Sequence, residues 1–198
     1  MVISQKILES AGAVTKNFGP SENIFTEGES ANYYFQIVSG TVKMNNYDES
    51  GKESIQTLLK DGDCIGESLL FTDRKYPMNA VTLNPCEVLS LKKEKFLSLL
   101  VENPKLCFDM NKWLSENLYF KQIMAQNMSS QSPKVKLKTL MDYLKSKEPE
   151  DKKFRFQIPL TRQQMASLTG LCVETVIRTL KKMEKEGRLL IENGKVLY

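Results

Sequence analysis

The hydrophobic spacing of the chain changes at Lys93, from short strand-like runs before it to helical intervals directly after it. Before it, residues 18–92 hold short runs rich in β-branched and aromatic residues, punctuated by Gly28, Gly40, Gly51, Gly62 and Gly66. Residues 35–44 alternate in part and break at Gly40, as a hairpin does. Residues 48–51 and 60–63 read as turns. Residues 55–59, 80–83 and 86–91 read as further strands, the last two separated by Asn84-Pro85. Many short strands spaced by about ten residues predict a sandwich or barrel.

After Lys93 the spacing is helical. Phe96, Leu97, Leu99 and Leu100 mark one helix, and Asn103-Pro104 ends it and opens the next. Residues 105–128 contain no Gly or Pro. Within them Leu106, Met110, Trp113, Asn117, Phe120 and Met124 recur at alternating steps of four and three, a coiled-coil seam of about three heptads. Two arrangements fit: a seam between two copies of the chain, or a helix lying on its own barrel through Leu114 and Leu118. Unpaired, the seam would leave Trp113 and Phe120 in water, which favours the homodimer. Residues 129–133 form a polar break, suited to a hinge. A third helix is expected over 134–147, a charged loop over 148–153, and a short strand over 154–158.

Composition removes several function classes. The chain has 198 residues, 41% hydrophobic and 26% charged, which suits one large or two small globular domains. No apolar run approaches the roughly 20 residues of a membrane helix. The first residues lack the apolar core of a signal peptide, so a cytoplasmic location with no membrane partner is expected. There is no histidine. That excludes a Ser-His-Asp triad, a histidine base and His-ligated zinc or haem, and the expectation is no enzyme, no catalytic residue and no metal. Cys64, Cys86, Cys107 and Cys172 are scattered without a C-x-x-C pair, and are expected to be reduced and mostly buried.

Charge is uneven. Residues 133–198 hold 15 Lys and Arg against 8 Asp and Glu, a net +7, whereas residues 1–132 hold 13 against 16, a net −3. A basic terminal third on an acidic body suits a module that binds a polyanion.

Residues 160–187 say which polyanion. Thr161 and Gln164 are spaced as a capping box, Met165, Ala166 and Leu168 supply a packing side, and Gly170 suits a left-handed helix end. A second helix begins near Cys172. Val176, Leu180 and Met183 point inward, while Glu174, Arg178, Lys181, Lys182 and Lys185 share an outward sector about 100° wide. Asn193-Gly194 between two apolar runs is a hairpin signal. A helix pair joined through a glycine, basic on the free side of its second member and followed by a hairpin, predicts a winged helix-turn-helix that takes double-stranded DNA.

The string 160–180, with Thr161-Arg-Gln-Gln-Met-Ala166 and Gly170-Leu-Cys-Val-Glu-Thr-Val-Ile-Arg178, resembles the DNA-binding signature of the cyclic-AMP receptor and fumarate–nitrate regulator (Crp/Fnr) family of bacterial transcription factors. Residues 25–29, 34–43, 62–63 and 65–68 are similar to that family's sensor barrel. The resemblance implies an α+β chain: a cyclic-nucleotide-binding-like β-barrel of the jelly-roll kind over 1–103, a dimerisation helix and hinge over 104–132, and a winged helix-turn-helix over 133–198. It implies a homodimer on a near-palindromic operator, acting as activator or repressor, with RNA polymerase a further partner of an activator. It also implies that Glu174 accepts from cytosine, Arg178 donates to guanine, and Arg162, Gln163 and Thr175 hold phosphates. Val173 stands where the cyclic-AMP receptor type has Arg and resembles the fumarate–nitrate type instead, Ile177 departs from the small or hydroxyl residue common there and suits a thymine methyl, and Lys182 adds to the basic sector.

In the family's sensor a Gly-Glu pair takes the ribose and an Arg-Ser/Thr pair the cyclic phosphate. Gly66, Glu67 and Ser68 match the first element, but Met78 and Asn79 stand in the second, and Lys121 and Gln122 replace the hydroxyl pair that reads adenine. A phosphate there lacks its charged partner. The expectation is no cofactor, cyclic AMP disfavoured, and an effector not identified. Control through the thiol of Cys172 or Cys107 is the alternative.

Overall fold

The computed structural model describes residues 2–51, 53–128, 132–146 and 154–198. The chain falls into two compact units, residues 1–116 and 117–198.

The first unit is built on two four-stranded antiparallel sheets. One has the strand order β1-β8-β3-β6, with β1 Val14–Phe18, β3 Tyr33–Ser39, β6 Cys64–Ile65 and β8 Cys86–Lys92. The other has the order β2-β7-β4-β5, with β2 Asn23–Phe25, β4 Val42–Tyr47, β5 Glu53–Leu59 and β7 Asn79–Thr82. Both sheets feed one core that holds Phe25, Phe35, Val42, Met44, Ile65, Ala80, Val88 and Leu89. The strands β3 and β8 are buried over most of their length rather than at alternate positions. Helices α1 Gln5–Ser10 and α2 Lys93–Glu102 contact β8, and Leu8, Phe96 and Leu100 join the same core.

The hairpin expected over 35–44 is not formed. Strands β3 and β4 belong to different sheets, so Gly40 marks a crossing between them. Asn84-Pro85 marks the equivalent crossing between β7 and β8. The two crossings lie against each other: Thr41 N–H donates to Asn84 Oδ1 at 2.7 Å, and Leu83 N–H to the Thr41 carbonyl at 2.8 Å. A Cβ on Gly40 would sit 2.8 Å from the Pro85 carbonyl oxygen and against the Cys86 thiol, and its φ of 111° is one that only glycine adopts easily. Partial alternation signals strands, but not which strand pairs with which.

A long helix, α3 Pro104–Met128, follows. The second unit has α4 Pro133–Ser146, α5 Arg162–Thr169, α6 Val173–Lys185 and the hairpin β9 Leu190–Glu192 with β10 Lys195–Leu197. Its core holds Leu137, Leu140, Met141, Ile158, Met165, Ala166, Val176, Leu180, Met183, Leu189 and Val196. The strand expected over 154–158 shrinks to one bridge, Gln157 with Leu197, because Phe154 turns at φ 61°. Ile158 N–H still reaches the Val196 carbonyl at 2.9 Å, so the segment edges the wing. The hinge expected over 129–133 lies mostly, and the loop over 148–153 wholly, outside the described residues.

Candidate nucleic-acid interface

Helix α5 begins with the full capping box: Gln164 N–H donates to Thr161 Oγ1 at 3.1 Å, and Thr161 N–H to Gln164 Oε1 at 2.8 Å. It ends at Gly170 in the left-handed region, φ 66°. That turn sends the chain into α6, whose N-cap is Cys172. Met165 and Ala166 on one helix meet Val176, Leu180 and Met183 on the other, all buried. The end of α6 is a Schellman turn, with Gly187 N–H on the Glu184 carbonyl at 2.9 Å and Arg188 N–H on the Met183 carbonyl at 3.0 Å. Glu184 Oε1 then accepts from Ile191 N–H at 2.8 Å and fastens the wing to the helix. Asn193 and Gly194, both at positive φ, form the tip.

The outward side of α6 is an open groove lined by Glu174, Ile177, Arg178, Lys181, Lys182 and Lys185. Gln163 is also exposed, while Val173 and Thr175 are half-buried. Arg162 is half-buried at the start of α5, and this burial lowers its pKa. Lys181 and Lys185 are as well placed as Lys182; their spacing on the same sector is the signal that finds them. At the C-cap of α6 Glu186 pairs with Lys134 and also accepts from Arg188 at 3.2 Å. Cys172 is exposed, against the expectation for the thiols as a group; Cys64 and Cys86 are buried and Cys107 is intermediate. Hydrogen bonding from the Thr175 hydroxyl, 3.0 Å away, draws the Cys172 thiol below its usual pKa.

Such a site matches a known family. Residues 15–103 match the cyclic nucleotide-binding domain family, and residues 137–197 the Crp-like helix-turn-helix domain family. The cAMP-activated global transcriptional regulator CRP of Salmonella typhimurium is 30% identical over 183 residues, which cover 90% of this chain and 86% of the relative. The chain belongs to the Crp/Fnr family. The anaerobic regulatory protein of Bacillus subtilis is 28% identical over 178 residues, 88% of this chain and 75% of that one. The solved structure of the c-di-GMP-responsive global regulator CLP of Xanthomonas campestris shares the fold, with a TM-score of 0.78, 22% identity and 98% of each chain covered. The Crp/Fnr chain is thus a DNA-binding transcription regulator, and its relatives are regulators rather than enzymes. Among the described residues no helix is long and apolar enough to cross a membrane.

The sensor residues do not fit a cyclic nucleotide. Gly66 adopts φ 67°, but a Cβ there would meet Tyr76 at 2.7 Å and Phe25 at 2.9 Å. Those two rings stack at 3.6 Å and fill the space beside it. Glu67 is 7% exposed and accepts from the Trp113 indole at 3.0 Å. Asn79 spends its amide on Glu27 N–H at 2.9 Å and on the Asn45 carbonyl at 3.3 Å. Met78 brings no charge, and Ser68 is exposed. Lys121 and Gln122 lie on α3 in the second unit, both exposed.

The helix's own packing takes up the first half of the seam expected along α3. Met110 is 1% exposed, and Leu106 and Trp113 pack on the same core, so these residues face their own barrel. Phe120 stacks on Tyr143 of α4 at 4.0 Å. Asn117 is half-buried, and the Met124 side chain lies outside what is described. Leu114, named as a barrel contact, is one, but Leu118 is 57% exposed. A heptad pattern identifies an apolar stripe without saying what covers it. Here Phe108, 71% exposed, and Leu118 are apolar residues of the helix left in solvent.

Proposed function

We propose that this Crp/Fnr chain acts as a homodimer that lays two α6 helices along successive major grooves of a near-palindromic duplex, one helical turn apart. The observation that carries this reading is the separation of α6 into a buried apolar side and an exposed side bearing Glu174, Arg178, Lys181, Lys182 and Lys185. Arg178 donates to guanine O6 and N7, and Glu174 accepts from the amino group of cytosine. Ile177 packs on a thymine methyl beside Val173, while Arg162, Gln163, Thr175 and Lys182 hold phosphates. The dimer forms through Phe108, Asn111, Ser115, Leu118, Gln122 and Ala125, which recur at heptad spacing and are all exposed. As an activator the dimer also contacts RNA polymerase.

Selecting bound sites from random duplexes tests the reading. The expected product is an inverted repeat that Arg178→Ala binds with a loss of about 1–3 kcal/mol and with the guanine preference relaxed. Arg178→Ala binding every sequence as the wild type does would end the assignment of α6.

A second reading is thiol control, and the exposure and lowered pKa of Cys172 at the N-cap of α6 favour that residue over the partly buried Cys107. A bulky adduct there stands beside Glu174 and Thr175. Alkylating the native protein should abolish operator binding, and Cys172→Ser should resist the treatment; unchanged binding after full Cys172 modification excludes this control.

A further inference from the structure

Within the first unit the sensor barrel and α3 meet through apolar residues and a polar contact. Trp113 sits among Leu106, Met110 and Leu114, which pack on the barrel core, and its indole N–H reaches Glu67 Oε1 at 3.0 Å. Glu67 is almost fully buried at the start of the short helical turn Glu67–Phe71, and Gly66 precedes it in a left-handed conformation. A carboxyl group taken out of water needs hydrogen-bond donors, and the half-buried Trp113 indole N–H supplies one. Beside them Phe25 and Tyr76 stack over Gly66, and the buried Tyr76 hydroxyl finds no hydrogen-bond partner among the described residues. Burial, and after it the charges of Glu29 and Glu67, push that hydroxyl's pKa up.

We propose that the Trp113–Glu67 hydrogen bond and the Phe25–Tyr76 stack are a built-in substitute for a bound nucleotide: they hold α3 on the barrel, and operator binding needs no cyclic nucleotide. The carboxyl group that a ribose would engage is engaged by the chain's own long helix. The volume beside Gly66 is filled by two of its own rings. Phe108 of the dimer face lies on the same helix within the first unit, so a helix held firmly on the barrel presents Phe108 in a constant position. This inference rests on the DNA-binding dimer described above.

Trp113 is the only tryptophan in the chain, so its emission reads the contact directly. The purified full chain is titrated with cyclic AMP and cyclic GMP to millimolar concentration, following emission and the mobility shift of the selected operator. The expected result is unchanged emission and strong operator binding without nucleotide. A saturable emission change, or a rise in operator affinity of about tenfold on adding nucleotide, overturns the proposal. Glu67→Ala should move the emission to longer wavelength and weaken operator binding about tenfold, as should Trp113→Phe for binding. Glu67→Gln, which keeps an acceptor for the indole, should restore most of the binding. If Trp113→Phe fails to fold, the wild-type titration and Glu67→Ala still decide, since Glu67→Ala with wild-type emission overturns the lock. If the wild type shifts no duplex at all, the DNA-binding reading fails, while the emission measurements still judge the contact.

Discussion

Gln36 has no exposed surface and yet is polar. Its Oε1 accepts from Ile3 N–H at 3.1 Å and from the Tyr34 hydroxyl at 2.7 Å, and its Nε2 donates to the Ile3 carbonyl at 2.8 Å. This one side chain ties the first residues of the chain to the middle of β3. Gln36→Ala leaves three buried groups without these partners, and should lower stability by about 3 kcal/mol in urea unfolding. A loss below about 1 kcal/mol would mean that water replaces the amide. Cys172 poses the opposite case. It caps α6 without a side-chain hydrogen bond to the helix backbone. Cys172→Ser supplies a better cap, and should raise the urea midpoint by an amount corresponding to about 0.5–1 kcal/mol. The lowered pKa of Cys172 means that its thiolate appears at a lower pH than that of an ordinary thiol. In the native protein it should therefore be alkylated first near neutral pH. Cys64, whose pKa is pushed up chiefly by burial, should react only on unfolding.

Among the elements, α3 decides most. Phe108→Glu and Leu118→Glu place charges on the exposed side of the helix, and sedimentation should show dimer shifting to monomer with the fold kept. Met110→Glu instead puts a charge in the barrel core and should unfold the first unit. Equal dimerisation of the Phe108→Glu and wild-type chains would remove this face from the interface. The contrast explains which parts were legible in the sequence. The helix pair α5 and α6 was, because its cap, glycine turn and inward residues are all local signals. The strands were visible as strands, but their pairing was not, since β3 and β4 are adjacent in sequence and separated in space. The orientation of α3 was not legible either, since Leu106, Met110 and Trp113 meet a barrel that a heptad pattern does not describe. The Glu67–Trp113 contact joins residues far apart along the chain and left no periodic trace.

At the scale of the whole molecule, charge divides along the chain, with the basic residues in the part that carries α6. Binding to the operator should therefore weaken steeply with salt, with a log–log slope of about −7 if the dimer neutralises roughly eight phosphates. A slope near zero would place the affinity in apolar contacts. The strand pairing has a temporal consequence as well. In the sheet β1-β8-β3-β6, Val14 pairs with Ser90 and Phe18 with Cys86. A ribosome that has released β1 still has most of the barrel to make before the partner of that strand exists. The first strand must wait, unpaired, for the last, whereas the α5–α6 turn can close as soon as it emerges. Chaperones that shield nascent chains would meet this regulator through its amino-terminal third, and the DNA-reading end would need them least.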